Sequence, residues 1–425
     1  MQYDETRPAF VFTTTKYATN INEHLLGSQL PKAGQERAVR VPPAATFGPL
    51  MRSTDSPRIL ADWIYSDRPQ LHIHAVQFQD ATLLTTTSLH TLMDSGGRSA
   101  FLQVWTAVLD GREDEVPPFD SYERDPLSSL GRDTPMNQYC HSTLLIRGIS
   151  LIIFGIRYAF ELLWFWNEED HAIRLSGRAV DRMRDIARRE LSTKESDGSE
   201  LPFLSEGDIL ASWWMKTMVT ALRPAFNRPI MLMTVFNVVS LFPEWFLGCG
   251  VYISNAIFPS YTILPVHQVL QEPIGVVAKE TRRALVEHRT REQVQALAAI
   301  QRASFRMTVP LFGRSDLLFL ACGNLHKARY FEVDFSTAVV APGAPLSGRA
   351  YGLGRPSYIN IIEHSVGYPT RNVLRVVGKD AAGDWWLTSR VRAEAWPAID
   401  QQLAALEDNV GLQSESAFPI EKCAE

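Results

Sequence analysis

A chain of 425 residues, 45% apolar and 21% charged, has the balance of a globular protein and the length for two domains or one large composite domain. Its net charge of −5 gives no overall electrostatic case for binding nucleic acid. Four scattered cysteines (Cys140, Cys249, Cys322, Cys423) with no C-x-x-C pair argue against a disulfide framework and a structural zinc site.

In chain order, the opening MQYDETRPAF lacks the apolar core of a signal peptide, and no N-x-[ST] sequon follows, so a monomeric cytoplasmic protein is expected. Residues 71–78 and 82–88 predict two strands around a short turn; the second, TLLTTTS, is rich in β-branched residues. Phe101, Val104, Trp105 and Val108 recur at helical spacing, with Gly111 placed to stop the helix. Residues 143–166 are long enough to span a bilayer, but Arg147, Arg157 and Glu161 interrupt them. A charge near a bilayer centre costs at least ~2.5 kcal/mol. The segment therefore predicts a buried or amphipathic helix, with Arg157 and Glu161 as an i,i+4 pair. One face resting on a membrane or a lipophilic substrate stays open. Trp164-Phe165-Trp166 is expected among the core aromatics, lining a cavity, as core Trp213-Trp214 and Trp385-Trp386 are elsewhere.

Val180, Met183 and Ala187 make an apolar helical stripe in a charged run, and residues 192–207 (STKESDGSELPFLSEG) read as an exposed linker. Beyond it, 208–222 predicts a helix and 276–300 one long helix. Residues 231–265, broken by Pro243 and Pro259, predict buried strands. Further strands are expected at 330–340, 372–377 and, after the turn KDAAGD, 385–387; a last helix covers 393–406. Interleaved strands and helices indicate an α/β (α+β) protein in two parts, 1–191 and 208–425, joined at 192–207.

His90 falls between a predicted strand and helix, in His90-Thr91-Leu92-Met93-Asp94-Ser95-Gly96, where a side chain projects from a sheet end into a cleft. A neutral imidazole takes and returns protons near neutral pH. Asp94 stands four residues on, placed to orient the ring or hold the loop, and Ser95-Gly96-Gly97 permits a tight turn. On spacing alone, H-x-x-x-D is common, and a structural histidine at a strand end is the more frequent explanation.

The run from His90 to Gly96, followed by Phe101, Trp105 and Leu109-Asp110-Gly111, resembles the H-x-x-x-D-G segment of the BAHD acyltransferases, most closely the fungal trichothecene O-acetyltransferase branch. The resemblance continues in order. Gly207-Asp208-Ile209-Leu210 with Trp213-Trp214-Met215-Lys216 is similar to the helix after that family's interdomain crossover. Residues 278–285 (AKETRRAL) resemble its long second-domain helix. Asn324-Leu325-His326-Lys327, Tyr330 and Val333-Asp334-Phe335 resemble the stretch ending in its D-F-G-W-G motif. This implies two chloramphenicol acetyltransferase-like domains, mixed sheets flanked by helices, and an interdomain tunnel. It also implies no bound cofactor, an acyl-CoA co-substrate and a small-molecule acceptor, His90 as general base, Asp94 as its brace, and Gly96, Asp334 and Phe335 as structural motif residues.

The sequence departs from that pattern in places. D-F-G-W-G reads Asp334-Phe335-Ser336-Thr337-Ala338, and the glycine after the motif aspartate is Ser95. The family's N-x-R reads Asn237-Val238-Val239, which removes the arginine expected to pair with Asp334, and its Gly-Asn near the tunnel reads Gly248-Cys249-Gly250. These losses bear on CoA use. Acyl transfer thus ranks first, a CoA-independent cyclisation, isomerisation or elimination second, and a non-catalytic binding protein third. No metal site is predicted: His72 and His74, two apart on a strand, lack further ligands and are expected to face solvent. Gly248-x-Gly250 and Gly352-x-Gly354 lack the setting of a dinucleotide fingerprint, and no P-loop or G-x-S-x-G elbow is present.

Overall fold

The β-branched and alternating segments of the N-terminal part make its strands. A computed structural model describes the chain except residues 1–7, 32–37, 120–124, 195–200, 247–249, 305–308, 342–350, 363–369 and 409–425. Gly248, Cys249 and Cys423 lie outside the described residues. The chain begins with β1 (Phe10–Lys16), β2 (Val39–Arg40), the one-turn helices α1 (Gly48–Met51) and α2 (Ala61–Ile64), β3 (Leu71–Gln77) and β4 (Thr82–Ser88). Helices α3 (Ser95–Leu109) and α4 (Gly148–Trp164), strand β5 (Glu168–Leu175) and helix α5 (Gly177–Lys194) follow. Then come α6 (Glu206–Leu222), β6 (Pro229–Asn237), β7 (Ile257–Pro265), α7 (Val266–Gln271), α8 (Ile274–His288) and α9 (Arg291–Ala303). The described chain closes with β8 (Leu318–Asn324), β9 (Val373–Lys379), β10 (Trp385–Arg392) and α10 (Trp396–Asp408).

Two sheets result. In the smaller, ordered β1-β3-β4, β3 pairs parallel with β1 and antiparallel with β4. The larger is seven-stranded and mixed, ordered β2-β5-β10-β9-β8-β6-β7, and it takes β2 and β5 from before residue 192. Its core forms where α6 lays Trp213, Trp214 and Met218, all fully buried, among Ile230, Leu320, Leu374 and Leu387 of the sheet. The long apolar face of α6 is what that sheet needs to exclude water. A capping box starts α6: the Ser205 backbone N–H donates to Asp208 Oδ2 at 2.7 Å, and Asp208 N–H donates to Ser205 Oγ at 3.4 Å.

Several predicted elements change. Residues 276–300 are two helices, because α8 ends at His288 and the Thr290 hydroxyl caps α9 by accepting from Gln293 N–H at 3.3 Å. Residues 330–340 are not a strand. They form short 3-10 turns at Tyr330–Glu332 and Ser336–Ala338, set up by a left-handed Arg329 (φ 53°) and by the Asp334 carboxylate accepting from Ser336 N–H. The stretch 192–207 lies partly within α5 and the start of α6.

His72 and His74 do not face solvent. β3 is the middle strand, both side chains are buried, and His74 Nδ1 shares a 2.8 Å hydrogen bond with Thr13 Oγ1. Burial lowers the pKa of both imidazoles. Trp164 and Trp166 are likewise not core residues: each is about 80% exposed, and no residue of α4 is fully buried. Glu161 accepts from Arg228 Nη2 at 2.7 Å, so its ion pair runs to the next layer of the fold. Among the described residues no helix is long and apolar enough to cross a membrane.

Candidate active site

The site is built at the turn from β4 into α3. Asp94 has the extended backbone of an N-cap residue, and its Oδ1 accepts from Gly97 N–H at 2.9 Å. A carboxylate here satisfies a free helix amide and meets the positive end of the helix dipole. Its other oxygen, Oδ2, accepts from Ala256 N–H at 3.0 Å, across from a loop far away in sequence. Asp94 is 3% exposed, and both its oxygens are spent on main chain. It braces the turn without being the partner of the His90 ring.

That partner is Asn255, one residue before Ala256. Asn255 Nδ2 donates to the His90 carbonyl at 2.8 Å, which turns Oδ1 toward the imidazole, where His90 Nδ1 lies at 3.1 Å. This orientation makes Nδ1 the protonated, donating nitrogen and leaves the lone pair on Nε2. The two glycines allow the loop to come this close. A β-carbon on Gly97 would sit 1.9 Å from the Ile253 carbonyl oxygen, and one on Gly96 would sit 3.2 Å from Asp94 Oδ1 and 3.3 Å from Asn237 Nδ2. Asn255 carries no local sequence signal, because it is 165 residues from His90 and enters only through the tertiary fold.

His90 is exposed on the wall of a cavity of about 3890 Å³, formed between the two sheets by β4, α3, α4, β6 and β8. Pockets for one small ligand usually hold roughly 300–1,000 Å³. This one has room for two molecules side by side. Apolar side chains such as Leu151, Phe154, Phe236, Phe319 and Leu325 dominate its wall.

The segments that carried the family resemblance meet around this cavity. Gly207 packs so tightly on Asn324 that an added β-carbon would lie 2.5 Å from its Nδ2. Asp208 Oδ2 accepts from Arg282 Nε at 2.9 Å, joining the start of α6 to α8. Buried Lys216 donates to the Val269 and Glu272 carbonyls at 2.6 and 2.7 Å, and burial brings its pKa down to about 8.

Asp334 and Phe335 stand farther along α3, against its C-terminal half, and Phe335 lines the same cavity. The Phe335 ring meets Trp105 edge-on at 5.3 Å, and Thr337 Oγ1 donates to Asp110. Asp334 does not lack an arginine: Arg355 Nη2 lies 3.0 Å from its Oδ2 and replaces the one missing from Asn237-Val238-Val239. The hydrogen bond with Ser336, then Arg355, keeps the Asp334 carboxyl below its usual pKa.

No protein-family model matches the chain. Over 409 residues it is 37% identical to acetyltransferase adrJ of Penicillium rubens, an alignment covering 95% of this chain and 82% of that one. Acetyltransferase sphE of Aspergillus fumigatus is 37% identical over 425 residues, with the same coverage. The fold is similar to the crystal structure of F. sporotrichioides TRI101 complexed with coenzyme A and T-2, with a TM-score of 0.63, 16% identity, and coverage of 94% of this chain and 80% of that one. Identity of this level, sustained over nearly the whole chain and laid on this two-sheet framework, makes the chain a member of the BAHD-type acyltransferase family, on its branch of fungal acetyltransferases.

Proposed function

We propose that His90 is the general base in the transfer of an acyl group from acyl-CoA to a hydroxyl, or an amine, of a lipophilic secondary metabolite. The observation that carries this is the Asn255 contact, which fixes Nδ1 as donor and leaves Nε2 basic on a residue lining the large cavity. Nε2 takes the acceptor's proton as its oxygen attacks the thioester carbonyl. The tetrahedral intermediate then collapses, the C–S bond breaks, and the imidazolium returns the proton to the leaving thiolate. Ester and free CoA form without an acyl-enzyme. Asp94 acts as a structural brace, while Gly96, Asp334 and Phe335 hold the fold around α3. CoA as co-substrate finds support in the coenzyme A of the TRI101 complex and in the relatives' names.

In this reading residues 1–191 and 208–425 are the enzyme's two halves, joined at 192–207, and the protein works as a cytoplasmic monomer. The composition of the joining stretch and the lack of paired cysteines are the support. We also place the outer face of α4 on a membrane surface, supported by exposed Ile149, Ile152, Ile156, Phe160, Leu163 and Trp164.

The test is incubation of purified wild type and His90→Ala with the acceptor, with and without acetyl-CoA. Mass gain by one acetyl group that depends on the thioester and falls ~10²–10⁴-fold in the variant is expected. An isomeric product formed without CoA, or a variant within a few-fold of wild type, would overturn the assignment.

A further inference from the structure

Away from His90, a second cluster of ligand-type side chains joins partly buried Cys140 and His141 to buried His288. Cys140, His141 and His288 each bring one donor atom to within 4.8 Å of the others. Cys140 Sγ and His288 Nε2 are 3.4 Å apart. A thiolate and an imidazole on one tetrahedral zinc ion, with bonds of about 2.3 and 2.1 Å, stand at about that separation.

The tautomers favour an ion over a simple contact. His288 Nδ1 donates back to the Ala284 carbonyl one turn earlier in α8, and His141 Nε2 donates to the Tyr261 carbonyl at 3.3 Å. Metal-ligating histidines are held in this way, with one nitrogen tied to a carbonyl and the other left with its lone pair. His288 Nε2 thus brings a lone pair to the Cys140 thiol, with the His141 ring beside them. One hydrogen bond satisfies one lone pair, whereas a cation satisfies all three groups.

The surroundings point the same way. Tyr139 and Tyr261, 1% and 0% exposed, have hydroxyls without a hydrogen-bond partner among the described residues, and their rings stand 5.5 and 6.3 Å from His288.

We infer that Cys140, His141 and His288 form a binding site for a borderline-soft divalent cation of the zinc type, clasping the turn at 139–142 to α8 beside β7. Binding exchanges the Cys140 thiol proton for the metal–sulfur bond, and the proton leaves to solvent. The sequence hid this site because its ligands come from two places 147 residues apart.

The test uses the full-length chain, stripped with chelator and titrated with Co²⁺ alone. One equivalent should bind, with a sulfur-to-cobalt charge-transfer band and the visible spectrum of a tetrahedral ion. Cys140→Ser should remove that band, His288→Gln should weaken binding at least tenfold, and Cys322→Ser should change neither. Should Cys140→Ser not fold, wild type still decides: Zn²⁺ is expected to slow alkylation of Cys140 at least tenfold, read by mass spectrometry. No saturable uptake, a cobalt band that survives in folded Cys140→Ser, or unchanged alkylation would overturn the site.

Discussion

The proposed base depends on the group that points it. His90 owes its orientation to Asn255, which bonds both the ring and the backbone of the same residue. Replacing that amide by a methyl group releases the ring to other rotamers and frees the choice of tautomer while leaving the imidazole in place. Asn255→Ala is therefore expected to lower kcat roughly 10–100-fold with KM near wild type, the scale seen when second partners of functional histidines are removed. A kcat within twofold of wild type would show that Asn255 is not the positioning residue. Gly97 is the other sensitive position, since its missing side chain is what admits the loop bearing Asn255. Gly97→Ala drives a β-carbon into the Ile253 carbonyl and should cost about 1–3 kcal/mol of stability as well as activity. Urea unfolding measures the first; an unchanged midpoint would contradict the contact.

At the scale of elements, the central placement of β3 turns two histidines from surface residues into buried ones. Their folded pKa values lie below the ordinary histidine value because burial penalises the charged form. The unfolded chain then takes up protons first as pH falls, so stability is unaffected above about pH 7 and is lost progressively below about pH 6.5. His74→Gln removes one of these groups. Its urea midpoint should fall less steeply than wild type between pH 7 and 5, and parallel slopes would rule the histidine out as a contributor. The strands and helices themselves were largely legible. β3, β4 and α6 were read at nearly their observed bounds, β4 from its β-branched content, while the Ser205 cap of α6 lay inside the stretch read as linker. The break between α8 and α9 was not, because the apolar stripe runs through it and only the Thr290 cap marks it. Residues 330–340 failed for a related reason: apolar Tyr330, Phe331 and Val333 are buried by turns as well as by a strand.

For the whole molecule, α4 stands out, because it carries large apolar side chains on two faces while its polar Ser150, Arg157 and Glu161 share one side. Leu151, Phe154, Tyr158 and Leu162 line the cavity, and Ile149, Ile152, Ile156, Phe160 and Leu163 face outward. Apolar side chains of this size are normally packed against another surface, and the outward ones here are exposed. Phospholipid vesicles should therefore carry the protein down in sedimentation, and Ile152→Asp with Phe160→Asp should reduce the bound fraction several-fold without loss of fold. Wild type that stays in the supernatant would remove the membrane from the proposal.

By itself the sequence determined the mixed α/β class, the strand-to-helix position of His90 and the family. All of these rest on local periodicity or on residues within a few positions of one another. Tertiary structure alone decided that Asn255 holds the imidazole, that Arg355 replaces the absent arginine beside Asp334, and that Cys140, His141 and His288 meet. Each of these is a contact across a long stretch of chain, set by sheet pairing and helix packing. Local propensity carries no information about which distant loop a strand end will meet.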